Sequence, residues 1–232
     1  MPIYRFGDML VDPLKYPWGY HKQQRWALYF DGNSYGRVDI GTGIYENFTI
    51  SAWLKADNWG SGTRKEFATV PDDVNGTQID FGVDSNNKLT HWRGSAAGQV
   101  GSGYDVSGLS GFHHVAYTQK RESASNVTVK IYLDAVEVDS MSGDWENVDF
   151  SKNWMAFGAD QQRLRYWIGA LYQLGFWSVA VEPSEIYKIM GNPATAFRGA
   201  QVVLLMLDNV SLEDVSGNKN HGTIHGATWI EI

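Results

Sequence analysis

Residues 47–55, Asn47-Phe48-Thr49-Ile50-Ser51-Ala52-Trp53-Leu54-Lys55, decide the fold of this chain. In an extended strand, successive side chains point to opposite faces, so one face of this stretch carries Phe48, Ile50, Ala52 and Leu54. Residues 127–133 have the same period of two. Such alternation is typical of antiparallel strands that turn one face to a core, and it predicts an all-β, two-sheet antiparallel sandwich.

The composition fits one large sandwich and excludes several classes of function. A chain of 232 residues can bury a sizeable core. A net charge of -7 with only 19 Lys and Arg gives no basic surface for nucleic acid, and it disfavours a polyanionic substrate. No run of about 20 apolar residues is present, so no membrane insertion is expected. With no cysteine, disulfides and thiolate metal sites are excluded.

Two segments depart from the strand pattern. Residues 1–25 combine three prolines with exposed-looking aromatic residues, which predicts an extended N-terminal arm rather than a helix, ahead of one domain at 26–232. We expect the arm to contact protein partners in an assembly through Tyr4, Phe6, Tyr16, Trp18 and Tyr20; the alternative is an arm that packs on its own domain. One short helix is expected from Pro183 to Met190, ended by Gly191, because proline suits the first helical turn and glycine the end.

Four motifs of the sequence are informative when they are taken together. They are Phe30-Asp31-Gly32, the stretch 47–55, Phe112-His113-His114-Val115-Ala116 and Ile131-Tyr132-Leu133-Asp134. Over most of residues 26 to 190, the chain resembles the LamG-like jelly-roll domains of the concanavalin A-like lectin/glucanase superfamily. The resemblance implies a jelly roll, a fold that serves many functions, and therefore leaves the function open.

A further phrase, residues 214–223 (Asp-Val-Ser-Gly-Asn-Lys-Asn-His-Gly-Thr), often opens LamG-like chains but here stands near the C-terminus. The resemblance therefore implies that residues 200–232 fold back beside residues 26–30, as a permuted strand or an added edge.

Catalysis is not expected. Sandwich glucanases of the superfamily carry Glu-x-Asp-x-Glu or Glu-x-Asp-x-x-Glu on one strand, which places two carboxylates on one face. The chain has only the start of this pattern, Glu137-Val138-Asp139, and Met141 and Ser142 stand where the second Glu belongs. A Gly-x-Ser-x-Gly nucleophile motif is also missing. Glu137 and Asp139 are then interpreted as solvent-exposed residues on one face of a strand.

No cofactor is required, but calcium stays open. LamG-like domains frequently bind Ca²⁺ at one rim, using an acidic residue in a Gly-x-Ile-Asp pattern. The matching run here is Gly169-Ala170-Leu171-Tyr172, and a tyrosine cannot supply that carboxylate. The remaining acidic candidates for such a site are Asp31, Asp72 and Asp73.

Ten tryptophans are many for this length. Five of them lie in or beside predicted loops, where an indole ring can stack on a sugar or on a protein neighbour: Trp59, Trp92, Trp145, Trp154 and Trp167. The alternative for each is that it closes one end of the sandwich.

Three functions are compatible with these observations. The first is a non-catalytic display or assembly module, most concretely a virion (phage) decoration or appendage protein whose arm grips the particle. The second is a carbohydrate-binding lectin module of a secreted or cell-surface protein. The third is a divergent glycoside hydrolase. The first places the chain on a virion surface in an oligomeric or particle-bound form, and the second places it outside the cell.

Overall fold

The computed structural model describes residues 26–41, 44–71, 79–93, 98–144, 148–149, 153–160, 163–191, 200–204 and 210–232. The arm of residues 1–25, Trp145, Asp72 and Asp73 lie outside this part of the chain, so the predictions made for them stay predictions. The described residues form a two-sheet antiparallel sandwich with one short helix, which confirms the expected fold class.

The larger sheet has eight strands. Its bounds are β1 (Trp26–Asp31), β4 (Phe48–Ala56), β9 (His113–Ser123), β10 (Asn126–Leu133), β11 (Val136–Gly143), β14 (Ile168–Trp177), β15 (Ala200–Leu204) and β17 (Thr228–Glu231). The order across the sheet is β11-β10-β9-β4-β14-β1-β17, and β15 also pairs with β14.

The smaller sheet has seven strands. Its bounds are β2 (Tyr35–Asp39), β5 (Lys65–Val70), β6 (Ile79–Val83), β7 (Lys88–Arg93), β8 (Gly98–Asp105), β13 (Trp154–Phe157) and β16 (Thr223–His225). The order is β16-β2-β13-β5-β6-β7-β8. A separate two-stranded ribbon joins β3 (Ile44–Tyr45) to β12 (Val148–Asp149).

The core fills the space between the two sheets. Apolar side chains at alternate positions are buried there, as the period of two requires, with Phe48, Ile50, Ala52 and Leu54 of β4 as an example. Aromatic rings join the sheets: the ring centres of Phe48 on β4 and Phe81 on β6 are 6.2 Å apart, and those of Phe67 on β5 and Tyr117 on β9 are 6.0 Å apart. With no disulfide, this apolar packing is the main source of stability.

A second, smaller core lies on the outer face of the eight-stranded sheet. The helix α1 (Pro183–Gly191) covers this face, and it begins and ends at the residues that the sequence indicates. Its buried residues Ile186 and Ile189 pack with Trp177 of β14, Ala116 of β9 and Tyr132 of β10. Both faces of the sheet's centre are therefore buried.

The chain end returns to the first strand. Residues Thr228–Glu231 pair antiparallel with Trp26–Tyr29, so β17 lies beside β1. The other C-terminal strands go elsewhere: β15 pairs with β14, and β16 pairs with β2 in the opposite sheet. Within the described part of residues 200–232, β17 alone lies beside residues 26–30.

Candidate functional site

The outer face of the seven-stranded sheet is polar. Strand register aligns one residue from each of six neighbouring strands in a row: Thr223, Arg37, Ala156, Thr69, Asp80 and Trp92. Each of these residues alternates with side chains that enter the core, such as Val38, Met155 and Phe81, so the row points away from the core. We call this surface the polar face.

Two of the predicted tryptophans stand on the polar face. Trp92 and Trp154 are half-buried, and each has a guanidinium group over its ring. The Cζ atom of Arg64 is 4.4 Å from the ring centre of Trp92, and that of Arg37 is 4.5 Å from the ring centre of Trp154. Cation–π contacts of this kind hold an indole ring upright and in place. Between the two rings, the strands carry the small or polar residues Ala156, Thr69 and Asp80.

Trp59 and Trp167 have a different role. Their side chains are 2% and 0% exposed, and the rings meet edge to face with centres 5.5 Å apart. They belong to the main core and close one end of the sandwich. Both rings therefore take the position of the alternative given for them in the sequence analysis, because loop position in the sequence does not prevent a large apolar ring from packing inward.

Buried carboxyl groups lie beside Trp92. Glu66 and Asp80 are 0% and 1% exposed, and the guanidinium of Arg64 bridges them: its Nε donates to Glu66, and its Nη2 donates to Asp80 Oδ2 at 2.8 Å. The hydroxyl of Thr69 donates to Asp80 Oδ1 at 2.7 Å. Burial raises the pKa of Asp80 to about 6. Burial and the neighbouring Asp80 raise the pKa of Glu66 well above its ordinary value.

A third buried carboxylate comes from the loop after β13. Asp160 is 1% exposed; it accepts backbone N–H groups from Leu164 and Arg165 and pairs with the Arg165 guanidinium at 3.1 Å. Electrostatic interaction links Asp160 and Arg165 to Asp80. The cluster thus holds three carboxyl groups against two guanidinium groups, Arg64 and Arg165. The excess of carboxyl groups, with burial, favours a protonated carboxyl.

Two buried polar atoms of the polar face have no hydrogen-bond partner among the described residues: Glu66 Oε2 and Thr90 Oγ1. Both residues are opposite Gly82, Glu66 on β5 and Thr90 on β7. A Cβ atom at Gly82 would collide with Glu66 Oε2 and with the Lys65 carbonyl, so the glycine leaves room for the carboxylate. Glu66, Asp80 and Thr90 are not evident as site residues in the sequence alone. The only signal there is the alternation Ile79-Asp80-Phe81-Gly82-Val83, which does not show the neighbouring strands.

The acidic residues of β11 do not form a pair. A β-bulge places Glu137 opposite Tyr132 and Asp139 opposite Ile131. Because Ile131 and Tyr132 are consecutive, their partners lie on opposite faces of the sheet. Glu137 Oε2 is 2.9 Å from Lys130 Nζ, whereas Asp139 Oδ2 accepts the N–H of Gly103 in the other sheet. The expected single solvated face is therefore wrong in this detail.

The usual calcium position of the family is filled by aromatic rings. Tyr172 is 3% exposed and stacks on Trp53, with ring centres 5.6 Å apart and planes at 6°. Asp31 is exposed, and its Oδ1 accepts the N–H of Asn33. Within the described ranges, no group of three His, Asp or Glu residues is placed to hold a metal ion. Among the described residues, Tyr172 and Asp31 therefore do not fit a calcium site. The other two candidates, Asp72 and Asp73, are not described.

The helix α1 is too short for a membrane span, and the described residues contain no other helix that is long and apolar enough for one.

Comparisons with known proteins agree with this architecture. The sequence model of Laminin_G_3, in the concanavalin A-like lectin/glucanases superfamily, matches residues 30–187. No curated protein matches the chain.

Three solved structures illustrate the likeness. A proposed carbohydrate-binding protein from Bacteroides ovatus superposes with a TM-score of 0.66 at 14% identity, over 90% of this chain and 60% of that one. Domain 4 of AbnA, an extracellular arabinanase from Geobacillus stearothermophilus solved with arabinotriose, has a TM-score of 0.53 at 19% identity, over 70% and 75% of the two chains. A heptameric SAP-like pentraxin from Limulus polyphemus has a TM-score of 0.52 at 12% identity, over 73% and 83%. At these identities the likeness shows the fold alone.

Proposed function

The chain belongs to the concanavalin A-like lectin/glucanases superfamily, and we propose that it is a non-catalytic module that binds carbohydrate through its polar face. The observation that carries the proposal is the pair of half-buried indole rings, Trp92 and Trp154, on either side of small and polar residues. An aromatic ring offers the apolar face of a sugar a stacking surface, while nearby polar groups fix the sugar's orientation.

The spacing of the rings suits an oligosaccharide. Three steps between strands, β13 to β5 to β6 to β7, separate the strands of Trp154 and Trp92. At about 4.8 Å a step, this is roughly 14 Å across the sheet, which is longer than one sugar ring. The two tryptophans would therefore contact different units of the same chain.

Binding to a glycan array tests the proposal. We expect the full chain to be retained by a defined set of oligosaccharides, and Trp92→Ala and Trp154→Ala to weaken that retention at least tenfold, a typical cost of removing an aromatic contact. Tyr187→Ala is the matched control, because Tyr187 is an aromatic residue, 50% exposed, on the opposite side of the sandwich. Retention that is equal in all variants, or absent in the unmodified protein, would contradict the proposal.

The structural relatives support a binding role by their names: one is described as carbohydrate-binding, and another was solved with arabinotriose. The absence of a complete Glu-x-Asp-x-Glu pattern in the sequence, together with the separation of Glu137 from Asp139, supports binding without hydrolysis.

We further propose that the module is displayed at a virion surface or otherwise outside the cell, attached by residues 1–25. The support is the proline and aromatic composition of that segment, in particular Tyr4, Phe6, Tyr16, Trp18 and Tyr20. Limited proteolysis tests this role: the segment should be cleaved in the isolated protein and protected in an assembled particle. Equal cleavage in both states would count against attachment.

A further inference from the structure

We propose that the residues around Gly82 are the hydroxyl-binding part of the polar face, where Glu66 Oε2 and Thr90 Oγ1 hydrogen-bond hydroxyl groups of one neutral sugar unit lying beside Trp92. This inference rests on the proposed function and names the residues and the ligand class within it.

Two buried polar atoms beside Gly82 need a hydrogen-bond partner. Glu66 and Thr90 are both 0% exposed, and neither Glu66 Oε2 nor Thr90 Oγ1 has a partner among the described residues. Buried polar atoms are nearly always hydrogen-bonded, because burial without a partner costs the full desolvation penalty. Two such atoms on the two register partners of one glycine indicate a place that another molecule completes.

The hydrogen-bonding properties of these two atoms indicate which chemical group can pair with them. A carboxyl oxygen accepts a hydrogen bond when ionised and can donate one when protonated, and a threonine hydroxyl both donates and accepts. A sugar hydroxyl does both and therefore complements each atom. Trp92 is two residues from Thr90 on the same face of β7, about 7 Å along the strand, so one sugar unit can reach both residues.

The charges of the buried cluster favour a neutral sugar. The three carboxyl groups of Glu66, Asp80 and Asp160 exceed the two guanidinium groups, and Arg64 and Arg165 are already paired with them. With one carboxyl protonated, both guanidinium groups are balanced by their own carboxylate partners, so no free positive charge is left to pair with a sugar acid.

The site must open to admit the ligand. Arg64 is 18% exposed in its side chain, lies over Trp92 and donates to both Glu66 and Asp80. Its guanidinium covers one face of the Trp92 ring, with Cζ 4.4 Å from the ring centre, where a stacked sugar ring would otherwise lie. We therefore expect Arg64 to shift from Trp92 when sugar binds.

The test uses the full chain and the neutral oligosaccharide that it retains most strongly on an array of neutral and acidic glycans. Thr90→Val should weaken binding about tenfold, as expected for a lost hydrogen bond to a buried ligand group, without lowering the melting temperature. Glu66→Gln tests the second atom and should also weaken binding. Ser51→Ala is the matched control: Ser51 Oγ is likewise buried and without a partner, but it lies on the other sheet, so binding should not change.

Each outcome bears on the inference. If Trp154→Ala loses binding while Thr90→Val and Glu66→Gln bind like the unmodified protein, then Glu66 and Thr90 do not bind the sugar. The proposed carbohydrate-binding function would still stand. Retention by acidic glycans alone overturns the ligand class. A crystal structure of the complex with only an ordered water between Glu66 and Thr90 also overturns the inference. Retention by no glycan removes the proposed function and the inference with it.

Discussion

The outer faces of the two sheets solve the same packing problem with opposite chemistry. Each has a central glycine that makes room for a neighbouring side chain. On the eight-stranded sheet, a Cβ at Gly175 would collide with the ring of Trp177, whereas at Gly82 on the seven-stranded sheet it would collide with the carboxylate of Glu66. One face is thus covered by an indole ring, and the other by an acid.

Two buried threonines make the contrast sharper. Thr49 and Thr90 are both 0% exposed and lie on the two outer faces. The Thr49 hydroxyl donates to the Val179 carbonyl and accepts the Val181 N–H, so the segment leading into α1 satisfies it. The Thr90 hydroxyl has no partner among the described residues. The Thr49 hydroxyl is thus satisfied by the chain itself, whereas the Thr90 hydroxyl is left for another molecule to satisfy.

Removing the ring of Trp177, on the outer face of the eight-stranded sheet, should have the largest effect on stability. We expect Trp177→Ala to lower the free energy of unfolding by about 3–5 kcal/mol, because the side chain is fully buried beneath α1 and leaves a cavity. Urea denaturation followed by fluorescence measures the loss. Trp92→Ala, at the half-buried ring of the polar face, should cost only about 1 kcal/mol. Equal losses at both positions would remove the distinction between the two faces.

The two faces should also respond to pH in opposite directions. Burial raises the pKa of Asp80 on the polar face to about 6, and burial lowers the pKa of His114 beneath the other outer face to about 4. The folded state holds the Asp80 proton more tightly than the unfolded state, so this contribution to stability is present at pH 4 and is lost as pH rises to 6. For His114 the unfolded state binds the proton, so stability rises between pH 4 and 6.5.

In the unmodified protein these contributions oppose each other and flatten the pH profile. Asp80→Asn removes the Asp80 contribution, although Glu66, whose pKa is also raised by burial, still opposes His114. Stability should therefore rise more steeply, or fall less, from pH 4 to 6.5 in the variant than in the unmodified protein. Denaturation midpoints measured across this range for both proteins provide the check. A variant whose profile runs parallel to that of the unmodified protein would show that Asp80 does not carry the expected proton.

The sequence predicts the fold better than the site because alternation is a local property. The period of two correctly places Phe48, Ile50, Ala52 and Leu54 in the core. It also predicts an open opposite face, yet Thr49 and Ser51 are buried. The Thr49 hydroxyl donates to the Val179 carbonyl, 130 residues further along the chain, in the segment that leads into α1. Coverage of a strand by a distant element leaves no trace in the strand's own pattern.

The candidate site depends on strand pairing, which the sequence does not reveal. Glu66, Asp80 and Thr90 come from three strands and meet only through the register of β5, β6 and β7. Of the predicted tryptophans, Trp92 and Trp154 reach the same face, whereas Trp59 and Trp167 turn inward. Residue type identified ring-bearing positions, but the tertiary arrangement decided which rings remain on the surface.

The smallest effect is expected at Glu137, the acidic residue that most resembles part of a catalytic pair. Its contact with Lys130 joins side chains that are 38% and 39% exposed, and such surface ion pairs contribute little, so Glu137→Gln should change the free energy of unfolding by less than about 0.5 kcal/mol. Retaining hydrolysis needs two carboxyl groups about 5 Å apart on one side of the sugar, and the bulge in β11 turns Glu137 and Asp139 to opposite faces. The variant should therefore bind glycans as the unmodified protein does and should not change the rate at which any glycan is cleaved. Cleavage that disappears on this substitution would instead identify Glu137 as catalytic and make the chain a divergent glycoside hydrolase.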